Sequence, residues 1–184
     1  LFARALKEAD RSFRTGRTFF QHVMTVSNHR PFTYPAGRIQ PPHAGRAPGL
    51  ADRTLANQVE QTREGGVRYT DFAIGKFIEQ ARGKPWFKDT LFVILADHTA
   101  SSAGKIEVDP GAYHIPAMFY APDFLAPRRI DRLVSQIDIA PSILGALRLS
   151  YRSRFVGQDQ ISVEGPDRAF ISNYQKVALV RGDN

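Results

Sequence analysis

The sequence predicts an α/β fold, a mostly parallel sheet flanked by helices and closed by a C-terminal antiparallel hairpin. Three observations carry this expectation. Two segments place apolar residues at three- and four-residue spacing, one continuous apolar run is bounded by turn signals, and two β-rich runs flank a short turn near the C-terminus.

In Leu1 to Arg14, Leu1, Phe2, Ala5, Leu6, Ala9 and Phe13 form one helical stripe opposite Arg4, Lys7, Glu8, Asp10 and Arg11, and Gly16 stops the helix. Thr18 to Val26 is rich in aromatic and β-branched residues and reads as a buried strand that ends at His29, because Pro31 cannot sit in a central ladder. Phe32 to Gly65 is rich in Pro, Gly, Arg and Gln with little period, which suggests a functional rim or lid with a short helix near Leu50 to Val59. Gly66 to Arg82 restores a helical face through Val67, Thr70, Ala73, Ile74, Phe77, Ile78 and Ala81. Thr90 to Ala96 is the continuous apolar run, expected as a strand covered on both faces. Pro116 to Ala121 is a further short strand. Asp138 is a plausible cap for a helix over Ser142 to Leu147 with Pro141 in its first turn, and Ala169 to Asn173 and Lys176 to Val180 read as two strands around a turn.

The chain has 184 residues, with 25 Lys+Arg against 18 Asp+Glu (25 − 18 = +7), 42% hydrophobic residues and no cysteine. A chain of this length buries roughly 70% of its unfolded surface, and residues 1–184 are expected as a single domain. The lack of cysteine excludes disulfide scaffolds, iron–sulfur sites and thiolate nucleophiles while leaving the compartment open. The longest purely apolar run, Leu91 to Ala96, is far short of the ~20 residues that span a bilayer. The basic residues are spread along the chain without a clustered tract, so no nucleic-acid partner is expected. The first residue is Leu, and the chain reads as a piece of something longer.

Asp97-His98 follows the apolar run directly, and in open α/β sheets ligands gather outside the carboxyl ends of strands. A carboxylate and an imidazole projecting from one strand end can share a divalent cation, and the mixed oxygen and nitrogen set suits Zn²⁺, Mn²⁺ or Mg²⁺. Equally, Asp97 can cap the Thr99-Ala100-Ser101-Ser102 turn while His98 bonds backbone. His29 follows the Thr18 to Val26 segment, and His114 precedes a strand, so it reaches the same rim only where the Thr99 to Tyr113 loop folds back. An imidazole at either position can orient a phosphoryl oxygen or serve a leaving group, or be an ordinary loop histidine. His22 and His43 receive no role. Hydroxyl nucleophiles are available at Thr99, Ser101 and Ser102 without a distinguishing signature, and the motifs of nucleotide cradles, dinucleotide folds, nucleophile elbows and helical zinc proteases are absent.

Phe20-Gln21-His22-Val23-Met24-Thr25-Val26-Ser27-Asn28-His29-Arg30-Pro31, Gly66 to Ile74, Phe92 to His98, Tyr113-His114-Ile115-Pro116 and Gln136 to Ser142 together resemble, in order and spacing, the C-terminal half of the lipoteichoic-acid-synthase-like sulfatase family. The resemblance implies a partial alkaline-phosphatase-like domain of an inner-membrane-anchored enzyme whose catalytic part faces the periplasm or the exterior. It implies a threonine nucleophile attacking a phosphatidylglycerol-type head group, with a divalent metal held by a Glu, that Thr and an Asp-His pair. Asp97 and His98 match the pair, His29 matches a substrate-contacting histidine after Ser-Asn, and His114 stands at a further active-site His-x-Pro position.

In that family the Glu and the nucleophile lie in an N-terminal half, whereas only 17 residues precede Thr18 here. The expectation is therefore the C-terminal part of a metal-dependent phosphoglycerol transferase acting on membrane lipid or an envelope glycan. Its metal site is incomplete, it is inactive as a soluble fragment, and it pairs with the missing half or self-associates through a truncated sheet. The alternatives are a sulfatase or phosphatase of the same superfamily and a non-catalytic domain for anionic ligands.

Overall fold

The computed structural model describes residues 1–35, 37–39, 63–100 and 108–182. The chain forms two compact units, Leu1–Phe87 and Lys88–Asn184. The expected helix near Leu50 to Val59, together with His43, Ser101 and Ser102, lies outside the described residues.

In the first unit, helix α1 (Phe2–Arg14) buries Ala5, Leu6 and Ala9, the inner members of the stripe. Helix α2 (Arg63–Arg82) begins three residues earlier than periodicity suggested and buries Ala81 completely. Phe2 stacks on Phe77 with ring centroids 4.9 Å apart, joining the two apolar faces. Asp10 fixes their register: its carboxylate accepts from Lys84 Nζ at 2.7 Å and from Trp86 Nε1 at 2.9 Å. Those two bonds hold its pKa below the usual carboxylate range.

Thr18 to Val26 departs from expectation. The segment is neither buried nor part of a ladder among the described residues, and its exposure alternates: Phe19, Gln21, Val23 and Thr25 are half-buried while Phe20, His22, Met24 and Val26 face outward. The inner side is anchored by Gln21 Nε2 donating to the Ala5 carbonyl at 3.1 Å and by Phe19 edge-on to Trp86. The β-rich composition therefore expresses itself as a two-sided, period-two segment without a neighbouring strand to cover its outer side.

In the second unit, strand β1 (Phe92–Leu95) pairs antiparallel with β2 (Ala117–Tyr120), from Phe92 opposite Tyr120 to Leu95 opposite Ala117. Strand β3 (Arg168–Ser172) pairs antiparallel with β4 (Val177–Arg181), which is the C-terminal hairpin the sequence predicted. Both ladders among the described residues are antiparallel, so the mostly parallel sheet is not seen there. Parallel pairing needs a crossover connection that carries the chain back to the starting end, commonly a helix; among the described residues between β1 and β2 the helical element is a short turn at Pro110–Tyr113. With two strands per sheet, β1 buries Phe92 but leaves Val93 and Ile94 half-covered and Leu95 exposed, so it is not enclosed on both faces.

Helix α3 (Ile139–Ala146) carries Pro141 in its first turn as expected. Asp138 immediately precedes α3 but makes no side-chain cap for it. Its carboxylate is fully buried and turned inward, accepting from Arg168 Nη1 at 2.7 Å and Nη2 at 2.9 Å, from Ser135 N at 2.9 Å and from Gln158 N at 2.8 Å. Arg168 is itself buried and lies over the Phe170 ring at 5.1 Å. Beside this pair, Gln160 is buried, its backbone N–H donating to Ser142 Oγ while its side-chain and backbone carbonyl oxygens accept from Arg132. Among the described residues no helix is long and apolar enough to cross a membrane.

Burial alone would raise the Asp138 pKa, but the guanidinium and the two backbone amides outweigh it and hold the carboxyl below its ordinary value. A depressed carboxylate contributes stability above the unfolded-state value of about 3.9 and loses it as pH falls through the lower folded-state value. Urea midpoints are therefore expected to begin falling as the pH drops below about 4, where the unfolded carboxyl takes up its proton, and to have lost this contribution once the pH is below the folded-state value. Arg168→Ala leaves a buried carboxylate without its counter-ion and is expected to cost about 3–5 kcal/mol in the same titration at neutral pH.

Candidate active site

Asp97 and His98 leave the end of β1 together and are both exposed. Three contacts set their geometry. The His98 amide donates to Asp97 Oδ1 at 3.0 Å, His98 Nδ1 lies 2.8 Å from the Thr99 carbonyl oxygen, and His98 Nε2 lies 3.4 Å from Asp97 Oδ2. A carbonyl oxygen only accepts, so Nδ1 carries the proton and, in the neutral ring, the Nε2 lone pair is turned toward the carboxylate. Two donor atoms thus converge in the open. Such donors, each about 2.1 Å from a shared tetrahedral ion, stand about 3.4 Å apart. The pair fits a cation in donor type and in spacing, and both bland expectations are also met in part, since Asp97 takes a backbone amide and His98 binds backbone.

The backbone beneath the pair is fastened on two sides. Gln136 Nε2 donates to the Asp97 carbonyl at 3.0 Å, and Thr99 Oγ1 donates to the Ala112 carbonyl. Thr99 is thus engaged in closing the loop. With Ala96 N donating to the Pro116 carbonyl at 3.3 Å, these bonds continue the antiparallel run beyond β1, which brings the segment containing His114 back to the end of the sheet where Asp97 and His98 emerge. The segment containing His114 thus runs beside the backbone of residues 96–99 through antiparallel pairing, where a mostly parallel sheet was expected. Among the described residues, however, no three His, Asp or Glu side chains gather closely enough to form a metal cluster.

His29 belongs to the first unit. It caps a tight turn in which its amide donates to Val26 and its carbonyl accepts from the Phe32 amide at 2.7 Å. Its Nδ1 donates to the Arg30 carbonyl at 2.7 Å, so His29 also presents Nε2 outward. The Arg30–Pro31 peptide is cis, and Phe32 has a φ of 59°, a left-handed conformation uncommon for a bulky residue. Helix α2 backs this turn. Thr70 Oγ1 donates to Asn28 Oδ1 at 3.0 Å, and a β-carbon on Gly66 would collide with the Ser27 carbonyl oxygen. Gly65 is covered in the same way by the Tyr34 ring.

Sequence reasoning missed Gln136, which positions Asp97, and Arg168, the partner of Asp138. Gln136 lies within the Gln136 to Ser142 block already singled out, which was the available signal. Arg168 carried none, because its partner is 30 residues away.

These features sit within a known family. The chain belongs to the sulfatase family, whose model matches residues 2–149. It is 26% identical over 93 residues to a lipoteichoic acid synthase from Staphylococcus saprophyticus subsp. saprophyticus, covering 50% of this chain and 13% of that protein. A solved structure of a protein in the alkaline phosphatase superfamily from Vibrio parahaemolyticus matches with a TM-score of 0.83 and 27% identity, over 98% of this chain and 41% of that one. The chain thus spans less than half the length of either. The resemblance drawn from the ordered motifs is borne out, and all five motif blocks lie inside the matched residues.

Gly66→Ala is expected to force the Ser27–His29 turn off α2, at about 1–3 kcal/mol of overpacking. Thermal unfolding measures the cost, and the His29 ring resonances are expected to shift while those of His98 stay in place.

Proposed function

We propose that the chain supplies part of the catalytic centre of a metal-dependent transferase that moves a phosphoglycerol-type head group between a membrane phospholipid and an envelope acceptor. Asp97 and His98 are its contribution to the metal site, and His29 and His114 contact substrate. The observation that carries this reading is the convergence of His98 Nε2 and Asp97 Oδ2 at 3.4 Å, with His98 Nδ1 held 2.8 Å from the Thr99 carbonyl oxygen. The similarity to a lipoteichoic acid synthase supports head-group transfer over sulfate-ester hydrolysis.

A divalent cation there, Mn²⁺, Mg²⁺ or Zn²⁺, would supply Lewis acidity toward a phosphoryl oxygen and the nucleophile. The chain's own residues do the rest. The Thr99 carbonyl orients the His98 ring and Gln136 holds the Asp97 backbone, while His29 and His114 serve to orient a phosphoryl oxygen or, when protonated, to pass a proton to a leaving alkoxide. Two protein ligands leave at least two positions of a tetrahedral ion to water, so this chain by itself is expected to bind metal weakly and to show no turnover. In the whole enzyme the remaining ligands and the nucleophile would come from polypeptide beyond this sequence, with the assembled domain held at the inner membrane and facing outward.

Titration with Mn²⁺ followed by histidine NMR checks the site. Paramagnetic broadening is expected at His98 first, at millimolar-range concentrations, and should vanish in Asp97→Ala. Equal broadening of His98 in that variant would overturn the assignment.

A further inference from the structure

We infer that residues 147–156 form a membrane-contact surface that engages anionic lipid, independently of the metal pair. Helix α3 ends at Ala146, and every residue from Leu147 to Val156 is exposed. This ten-residue stretch contains Arg148, Arg152 and Arg154 and no acidic residue. Among the described residues none of those guanidinium groups makes a hydrogen bond or an ion pair. The flanking acids in the sequence are already engaged: Asp138 is buried on Arg168, and Asp159 accepts from the Ile161 and Ser162 amides. The stretch therefore carries three arginines with no acidic residue of its own.

Between the arginines stand large apolar side chains. Leu149 is 53% exposed, Phe155 48% and Val156 78%, and Tyr151 and Phe155 hold their rings 6.1 Å apart at the surface. Large apolar side chains exposed together along one short segment are costly in water and point to an interaction surface. Alternating arginines with aromatic and aliphatic side chains suits a headgroup region, where rings and aliphatic groups enter the acyl boundary and guanidinium groups stay with the phosphates. A soluble polyanion would use the charges and leave the apolar groups unsatisfied, which is why a bilayer is the better-matched partner.

The backbone adds a separate observation. The Leu149 amide donates to the Leu144 carbonyl and the Arg148 amide to the Gly145 carbonyl, a helix ending in which the left-handed position is normally glycine. Arg148 occupies it with a φ of 54°. A side chain kept at a position that disfavours it is being used for something other than ending the helix.

The test is sedimentation of the full chain with vesicles of equal parts phosphatidylglycerol and phosphatidylcholine, in low salt with chelator present so that metal plays no part. Binding is expected there and not with pure phosphatidylcholine, and it should weaken as salt rises. Each arginine near an anionic surface is worth about fivefold in partitioning, so Arg148→Gln/Arg152→Gln/Arg154→Gln should lose about a hundredfold. Arg148→Gly should raise the melting temperature and yet weaken binding about fivefold, which separates the effect from misfolding. Leu149→Ser/Phe155→Ser/Val156→Ser, with charge unchanged and folding checked by circular dichroism, should also lose binding. Vesicle binding by the triple arginine variant at the wild-type level would overturn the proposal. So would wild-type affinity in the apolar variant together with full competition by soluble polyphosphate, which would mark a plain polyanion site. Neither result bears on Asp97 and His98, whose Mn²⁺ response is read separately.

Discussion

The second unit is organised around one ion pair taken out of water. Asp138 and Arg168 are each buried, and desolvating two charges is favourable only when geometry is close to ideal and every remaining acceptor is used. Here the guanidinium meets the carboxylate with two parallel bonds, and two backbone amides occupy what is left. The pair ties the start of α3 to β3. Gln136 stands two residues before Asp138 and holds the Asp97 carbonyl, so the C-terminal hairpin reaches the candidate site through a short mechanical path from Arg168 to Asp138 to Gln136 to Asp97. This gives the Gln136 to Ser142 block a structural reason, since Ser142 also receives the Gln160 amide.

Local features were legible in the sequence and remote partnerships were not. α1 and α2 announce themselves because a 3.6-residue period reports which face is buried. The β3–β4 hairpin was legible because its strands are separated by four residues and need no distant partner. For Thr18 to Val26, the aromatic and β-branched composition pointed to a buried strand, and among the described residues the segment is neither buried nor part of a ladder, because burial and pairing depend on what lies beside it, and composition is silent about that. The expected mostly parallel sheet is not seen among the described residues for a related reason: an apolar run has the same appearance in either orientation. Asp138 looked like a cap because short-range rules place an acid before a helix, whereas its energy comes from an arginine far along the chain.

The candidate site shows the same division. Asp97 and His98 could be singled out because adjacency in sequence and a strand end place them together whatever the rest of the fold does. His114 depended on topology. The antiparallel return places its segment at the end of the sheet where Asp97 and His98 emerge, an arrangement that an apolar run alone does not announce. His29 and its supporting turn depend on Gly66 and Thr70, and those become meaningful only once α2 is seen to press its first turns against the Ser27–His29 backbone.

The β1–β2 ladder has a further consequence for how variation is tolerated. Residues paired across it sum to a constant, from 92 with 120 to 95 with 117. Because side chains alternate faces along a strand, losing a single residue from either strand would invert that strand's two sides and rotate whatever emerges from its tip to the opposite surface. Deletions of two residues would preserve facing while shortening the reach. Related chains should therefore vary in the length of the connecting loop far more freely than in the parity of the strands that carry it.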